Sequence, residues 1–229
     1  MLCACGKSQT GYNPLSGVET TFITDSCGRK VEVPAEITRI APSGGTAQML
    51  LMPIAYDLLV GLSSSPSTAQ RPYFPEELWY LPTFGQFYGS KASLNMEALI
   101  AAQPQIIIDM GDAKDNIDDD MDRIQKQTGI PTVFIEADLD DMAAAYRTLG
   151  SLLNREEAAE PLAAFIEETV TMAQTNAAKI PETQRQTVLY GTGPTGLACN
   201  AAGSSQADVI DLIGAVNAII PVYPADFRP

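Results

Sequence analysis

The chain has 229 residues, of which 45% are hydrophobic and 18% are charged, a composition typical of a globular protein with a substantial core. Its formal net charge of −14 argues against nucleic-acid binding, because contacts with phosphate require lysine and arginine. The sequence contains no histidine, which excludes Ser-His-Asp and Cys-His catalysis and the ligation of a metal by imidazole.

Residues 1–20 are predicted to form a lipoprotein tether. Leu2-x-Ala4-Cys5 is similar to the end of a bacterial lipoprotein signal, in which Cys5 becomes the lipidated first residue. Residues 8–20 are polar and aperiodic, as expected of a tether. Because the sequence has no run of about 18 apolar residues, a lipid is the membrane attachment that we expect.

Two further cysteines, Cys27 and Cys199, lie far apart in the sequence. No C-x-x-C pair is present, so the cysteines predict no metal site. We interpret both as small buried residues and leave a disulfide between them open.

A β-hairpin is predicted over residues 22–34, with Asp25 and Gly28 in its turn. A strand at 39–42 then leads through small residues into a helix over 47–59. Backbone N–H groups at the start of such a helix can bind a ligand. We therefore expect ligand contacts from the small-residue loop, which consists of Ser43, Gly44, Gly45 and Thr46.

Residues 60–63 are predicted to form a short strand, and residues 64–89 form a long irregular loop that is rich in aromatic side chains. Long structured loops of this kind are often functional. We interpret Phe74 and Phe84 as anchors of the loop. Ligand contact is predicted for the other large aromatic residues near its end, Trp79, Tyr80, Phe87 and Tyr88.

Helices and strands alternate from there to residue 153. The predicted elements are a helix at 93–102 with Ser93 as its cap, a strand at 105–109, a helix at 116–128, a strand at 130–135 and a helix at 139–153. The first of these strands is a continuous apolar run, which is typical of a parallel strand buried on both faces. Its C-terminal loop contributes three candidate ligand residues, Asp109, Gly111 and Asp112.

One long helix is predicted over residues 154–179. Asn154 is expected to be its N-cap, with Glu157 completing a capping box, and Pro161 should kink its first turns. Because strands and helices alternate on both sides of this helix, we interpret it as a strut between two lobes.

The second lobe is predicted to contain a strand at 187–190, a loop at 191–194 and a helix at 207–213. The whole β-α order predicts open parallel sheets, which bind ligands at the carboxyl ends of their strands. Gly191 and Thr192 are candidate ligand residues for this reason. Residues 181–229 are few for a lobe with its own core, so we expect the second lobe to be incomplete.

Five motifs in this order resemble those of the bacterial substrate-binding proteins of ABC importers for iron–siderophore complexes, haem and cobalamin. Gln103 and Gln105 replace the Lys and Asp that are usual in the second motif. The motifs are Asp25-x-x-Gly28-Arg29, Asn95-Met96-Glu97 followed by Gln103-Pro104-Gln105, Gly129-Ile130-Pro131, Gly150-x-Leu152-Leu153-Asn154 and Asp211-Leu212-Ile213-Gly214.

The resemblance implies a two-lobed α/β fold of the periplasmic-binding-protein type, with parallel sheets joined by a long inter-lobe helix and an incomplete second lobe. The divisions it implies are the tether at 1–20, the N-terminal lobe at 21–153, the inter-lobe helix at 154–180 and the start of the C-terminal lobe at 181–229.

The resemblance also implies a binding function, with no catalysis and no resident cofactor or metal. A metal chelate of the iron–siderophore type would be captured between the lobes and delivered to an ABC permease and, through it, to an ATPase. The protein would be an extracytoplasmic, lipid-anchored monomer. Related proteins commonly hold anionic siderophores with Arg and Tyr, which adds Arg71 and Tyr73 as candidates. Glu97 matches the glutamate that docks to arginines of the permease.

Several alternatives stay open. Haem or cobalamin would suit the aromatic loop, and molybdate or tungstate would suit the backbone N–H groups of residues 43–46. A chelatase-like enzyme could use Asp109 and Asp112 as a carboxylate pair, although the missing histidine speaks against it and we prefer to interpret both as strand-end caps. A ligand sensor or adhesin on the same fold is a further class.

Overall fold

The computed structural model describes residues 11–220. Its first element is the predicted hairpin, which consists of β1 (Thr20–Thr24) and β2 (Lys30–Pro34). Asp25 in its turn is fully buried and accepts hydrogen bonds from the backbone N–H of Arg29 (2.9 Å) and from its guanidinium (3.1 Å). That guanidinium also donates to the carbonyl of Thr132 (3.1 Å). The Ser26 N–H donates to the carbonyl of Phe134 (3.0 Å). The turn therefore covers one edge of the central sheet, which protects that edge from pairing with other chains.

The central sheet has three parallel strands in the order β3 (Ile40–Pro42), β4 (Ile106–Gly111) and β5 (Thr132–Glu136). The first five residues of β4 are buried, as predicted for a strand covered on both faces. Beyond β3, single bridges join Ile40 to Leu59 and Leu62 to Thr83. These bridges stand in place of the continuous strand predicted at 60–63.

Four helices surround this sheet: α1 (Gly45–Ala55), α2 (Met96–Ala102), α3 (Ile117–Thr128) and α4 (Met142–Leu153). The predicted extension of α1 to residue 59 is wrong, because a 3₁₀ turn at Tyr56–Leu58 follows Ala55.

The prediction that Ser93 caps α2 is also wrong. Asn95 is the cap, since its side-chain oxygen accepts from the N–H of Ala98 (3.1 Å). The hydroxyl of Ser93 is used elsewhere, as the acceptor of the Gln86 N–H (3.2 Å).

The predicted long helix is α5 (Glu156–Ala177), which stays helical through Pro161. Asn154 does not cap it, because Asn154 has a φ of 55° and ends α4 instead. Only two residues separate the two helices, so the left-handed turn that ends α4 occupies the position predicted for the capping box. Arg155 secures the junction with two hydrogen bonds to the carboxylate of Asp57 (both 2.7 Å) and one to the carbonyl of Ile54 (3.0 Å).

Helices α4 and α5 pack with their backbones unusually close. A Cβ atom placed on Gly150 would lie 2.6 Å from the Cβ of Ala159, which is itself buried. On the outer side of this contact, Arg147 of α4 forms ion pairs with Glu160 (2.9 Å) and Glu167 (2.7 Å) of α5. Small residues inside and ion pairs outside thus fix the direction in which α5 leaves the first lobe.

The second lobe begins after α5 with two short pairs of strands. β6 (Thr187–Val188) pairs in parallel with β9 (Val216–Asn217), and β7 (Gly191–Thr192) pairs antiparallel with β8 (Ala198–Cys199). The strand predicted at 187–190 therefore ends at Val188. The helix α6 (Asp208–Leu212) lies against α5, and a Cβ on the following Gly214 would come within 2.9 Å of the Cβ of Ala177. Large apolar side chains of this lobe are exposed, among them Leu189, Leu197, Val209, Ile213 and Ile220.

These elements confirm the α/β architecture with parallel sheets on either side of a connecting helix. The exact division of the chain into lobes stays a prediction.

Part of the predicted tether packs on the first lobe. The hydroxyl of Tyr12 lies 3.0 Å from the carbonyls of Gln103 and Pro104, and Pro14 is buried. Cys5 lies outside the described residues. Over residues 11–220, no helix is both long enough and apolar enough to cross a bilayer.

The interpretation of Cys27 and Cys199 as buried residues is wrong. Cys27 is half-buried, and its thiol donates to the carboxylate of Asp25 (3.2 Å), while Cys199 is exposed. Both are free thiols, so no disulfide joins them.

Substituting Gly150 with alanine should destabilise the protein. In an ordinary helix the change would stabilise by about 1 kcal/mol, because alanine has the higher helix propensity. Here the added methyl collides with Ala159, and overpacking of this kind costs about 1–3 kcal/mol. Urea unfolding of Gly150→Ala should therefore show a net loss of stability, whereas Ser151→Ala on the exposed side of α4 should change it by less than about 0.5 kcal/mol. A stabilised Gly150→Ala protein would contradict the close packing of α4 and α5.

Candidate functional site: a cavity between the lobes

A cavity of about 250 Å³ opens where the strands of the central sheet end and the second lobe approaches. Its walls come from the start of α1, the end of β4, the loop before α3, and Gln206 of the second lobe. This is the position at which open parallel sheets bind ligands. The predicted ligand residues that line it are Gly44, Thr46, Tyr88, Asp109, Gly111 and Asp112.

The polar centre of the cavity wall is Asp109, whose exposed fraction is 4%. Its carboxylate accepts a hydrogen bond from the buried hydroxyl of Ser43 and another from the phenol of Tyr88 (2.6 Å). Burial raises the pKa of Asp109, and the two hydroxyl donors and the charge of Lys114 oppose that rise. Burial and the adjacent Asp109 charge also raise the pKa of Tyr88, so its phenol keeps its proton. The wall is thus a buried acid held by two hydroxyl groups.

Lys114 is the one cationic side chain that lines this cavity within the described part of the chain. Its ammonium nitrogen lies 5.5 Å from the centroid of the Tyr88 ring, within the range of a cation–π interaction. Asp112 lines the same cavity.

The small-residue loop at the start of α1 is fixed from both sides. The N–H of Ser43 donates to the carbonyl of Ile108 (3.1 Å), and its carbonyl accepts from the N–H of Phe87 (2.9 Å). A Cβ on Gly44 would lie 2.3 Å from the side-chain oxygen of Gln86, so a larger residue there would displace the Gln86 side chain. Gly45 follows as the first residue of α1 and does not line the cavity. The aromatic loop is therefore bonded to the site through Phe87, and Gln86 beside it lines the cavity.

Most of the predicted contacts from the aromatic loop lie elsewhere. Tyr73 and Tyr80 belong to the 3₁₀ turns at Arg71–Tyr73 and Glu76–Tyr80 and are 85% and 75% exposed. The guanidinium of Arg71 lies 5.6 Å from the ring centroid of Trp79, whose indole N–H donates to the Phe74 carbonyl (3.2 Å).

Three more predicted contacts also lie away from the cavity wall. Phe87 is buried in the core beside Phe84. Gly191 and Thr192 form β7. Ligand contact by any of these residues outside the cavity wall stays a prediction.

Sequence reasoning missed several residues of the cavity wall. Lys114 lies only three residues beyond the end of β4. The expectation that ligands bind at the carboxyl ends of parallel strands could therefore have been extended to it. Met49, Met142 and Gln206 carried no signal, because helical periodicity does not show which end of a helix meets a cleft.

A second cavity of about 420 Å³ lies beside the first, between the lobes, and is strongly acidic. Asp138 and Asp140 face Asp208 and Asp211 of the second lobe across it. Burial and then neighbouring carboxylates, with Asp112 and Asp138 foremost, raise the pKa of Asp208. The carboxyl oxygens of Glu136, Asp138 and Asp141 also lie within 4.8 Å of one another.

The buried acid should make stability depend on pH. Because folding raises the pKa of Asp109 above its unfolded value of about 3.9, this residue favours the folded state below pH 4, and the contribution is lost as pH rises through the folded pKa. The free energy of unfolding of the wild type relative to Asp109→Asn should therefore fall as pH rises from 4, measured by urea unfolding at a series of pH values.

Tyr88→Phe provides the control for this pH dependence. The phenol donates to Asp109 and lowers its pKa, so without it the fall should extend to higher pH. The comparison requires Tyr88→Phe with and without Asp109→Asn. A difference between wild type and Asp109→Asn that stays constant or increases with pH would contradict the assignment.

Solved structures that are similar to this chain include solute-binding proteins of ABC transporters. An ABC transporter solute binding protein from Sulfurospirillum deleyianum is 25% identical with a TM-score of 0.76, and the match covers 89% of this chain and 64% of that one. IsdE of S. aureus, complexed with haem, is 25% identical with a TM-score of 0.60, covering 82% and 67%. Molybdate-bound MolA of Haemophilus influenzae, at 17% identity and a TM-score of 0.66 over 87% and 66%, shares the fold.

The chain thus spans less than two thirds of the length of the Sulfurospirillum protein. A comparison with curated protein sequences gives no match. The family model for periplasmic binding proteins matches residues 40–228, which is most of the chain and includes both lobes. The family and fold expected from the sequence motifs are confirmed, and the chain belongs to the periplasmic binding protein family.

Proposed function

We propose that this protein is the extracytoplasmic capture component of an ABC importer, and that it binds a small metal chelate in the 250 Å³ cavity and delivers it to the permease. The observation that carries the proposal is the position of that cavity, which lies at the carboxyl ends of the parallel strands with Gln206 of the second lobe in its wall. A solute held there would touch both lobes, so its binding would favour their approach.

The metal-chelate class is supported by the relatives of this chain. The haem-complexed structure at 25% identity holds an iron chelate, which is the kind of solute that the sequence motifs imply. An iron–siderophore complex is our leading candidate, and haem, cobalamin or molybdate are alternatives for the same site. Affinity would come from enclosure by the cavity walls and from a few placed polar groups, without covalent chemistry.

Catalysis has less support than binding. A chelatase-like reaction would need a metal ligand at the site, and the described cavity offers only Asp109 and Asp112 as charged oxygen ligands. Asp109 is already engaged by two hydroxyl groups, so it serves better as a fixed element of the wall.

We also propose that the protein acts as a monomer held to the outer face of the membrane by a lipid on Cys5, with an ATPase as indirect partner through the permease. This part of the proposal rests on the sequence of the first residues.

Blocking the cavity should abolish solute binding. Isothermal titration of the protein with ferric siderophores, haem, cobalamin and molybdate should identify one bound class at micromolar concentration or below. Met49→Trp, at the rim of the cavity, should weaken binding at least about tenfold, because its larger side chain fills the entrance. Met172→Trp makes the same change at an exposed position of α5 and should leave affinity unchanged. Equal affinities of the two variants would place the solute elsewhere. If none of the tested solutes bound, that result would contradict the metal-chelate class.

Glu97 should dock the protein to the permease. It is exposed in the first turn of α2, where the helix dipole favours a carboxylate. Because an exposed charge at the rim of an interface acts mostly on the association rate, Glu97→Gln should slow binding to the reconstituted permease, and the effect should shrink as salt rises. Solute affinity should not change.

A matched variant separates docking from helix stabilisation. Glu157→Gln removes a carboxylate from the first turn of α5, so both variants should lose about 0.3–1 kcal/mol of stability. Only Glu97→Gln should alter the association rate with the permease. Identical rates for the two variants at low ionic strength would exclude the docking role.

A further inference from the structure

The direction of the hydrogen bonds at Asp109 determines what the cavity wall can offer a solute. Ser43 donates to one carboxylate oxygen and Tyr88 donates to the other at 2.6 Å. A phenol has one proton, and here that proton points at Asp109. The lone pairs of the Tyr88 oxygen are then all that the phenol presents to the cavity, which means that it can accept a hydrogen bond but cannot donate one.

The other charged groups of the wall are one carboxylate and one ammonium group. Asp112 is a second acceptor in the same cavity, and Lys114 is placed against the Tyr88 ring. Gly44, which precedes α1, and Thr46 in its first turn line the cavity, but the N–H groups at the start of a helix are equivalent to only about half a positive charge. The carboxylates of the adjacent cavity add negative potential from both lobes.

We propose that the Tyr88–Asp109 wall selects metal complexes that carry hydrogen-bond donors or positive charge and rejects anionic complexes and oxyanions. The inference rests on the proposed function of this cavity and defines the class of solute that the cavity accepts. Among metal chelates it favours those with outward N–H groups or a cationic periphery, and it disfavours molybdate and ferric complexes with a negative periphery.

Two cobalt complexes of one shape test the selection directly. Hexaamminecobalt(III) is an octahedral cation that presents only N–H donors, and hexacyanocobaltate(III) is an octahedral anion that presents only acceptors. Isothermal titration at physiological ionic strength, where long-range attraction to the acidic protein is screened, should show one site for the cation and none for the anion.

Variants of the wall separate hydrogen-bond direction from net charge. The amide of Asp109→Asn can donate to Tyr88 and so turn the phenol proton toward the cavity, and Tyr88→Phe removes the acceptor altogether. Each should weaken the binding of hexaamminecobalt(III) by roughly ten- to a hundredfold, the size expected for a hydrogen bond to a charged group. Asp119→Asn makes the same change of charge on the exposed side of α3 and should bind like the wild type. Asp109→Asn should in addition gain measurable affinity for hexacyanocobaltate(III).

Three results would overturn the inference: preference of the wild type for the anion, failure of the wild type to bind either complex, or equal binding of the cation by Tyr88→Phe and Asp119→Asn. The wild-type comparison does not depend on how well the variants fold. If natural chelates bind in the cavity but the cobalt complexes are not distinguished, the proposed function stands and this inference fails. If the cobalt complexes are distinguished but no natural chelate binds, this inference stands and the proposed function fails.

Discussion

The close contact between Gly150 of α4 and Ala159 of α5 is the constraint on which the arrangement of the lobes depends. The second lobe meets the first through α5, so the direction of this helix decides where the second wall of the cleft lies. The absence of a side chain at Gly150 brings the helix backbones together, and the Arg155–Asp57 pair holds the two-residue junction. Arg147 then fixes the rotation of α5 about its own axis by pairing with Glu160 and Glu167. Exposed ion pairs add little energy, so the packing of small residues supplies most of the restraint.

The cavity is built in the same manner, from backbone positions fixed by neighbours rather than from long polar side chains. Ser43 is bonded to β4 through its N–H, to the aromatic loop through its carbonyl, and to Asp109 through its hydroxyl. At the far edge of the sheet, the buried Asp25–Arg29 pair attaches the hairpin to β5. Removing one member of such a pair is strongly destabilising, because the remaining charge would be buried without a partner. The hairpin thereby covers the β5 edge of the sheet, and the carboxyl end of the sheet is left for a ligand.

Hydrophobic periodicity, together with the rule that ligands bind at the carboxyl ends of parallel strands, predicted the features that depend on local sequence. The apolar run 106–108 revealed a strand buried on both faces, and its polar successor Asp109 was assigned to the site because ligands bind where such strands end. What failed depends on contacts distant in sequence. Asn154 has the chemistry of an N-cap, but the two-residue junction commits it to ending α4. Tyr88 and Phe87 look equivalent in sequence and both are buried, yet only Tyr88 lines the cavity, where backbone bonds to Ser43 and Ser93 hold this segment. Gln206 reaches the cavity only through the tertiary fold.

The contact between Gly214 and Ala177 lies at the far end of α5. A small tilt at the base of this helix therefore displaces that contact by a larger distance. A helix of 22 residues is about 33 Å long, so a tilt of about 5° at its base moves its far end by about 3 Å. A methyl group added at the base would therefore be felt as a change in the width of the cleft, and small errors of packing in the first lobe would be amplified in the second. The tolerance of the binding site is in this sense set at Gly150, a position that does not line the cavity.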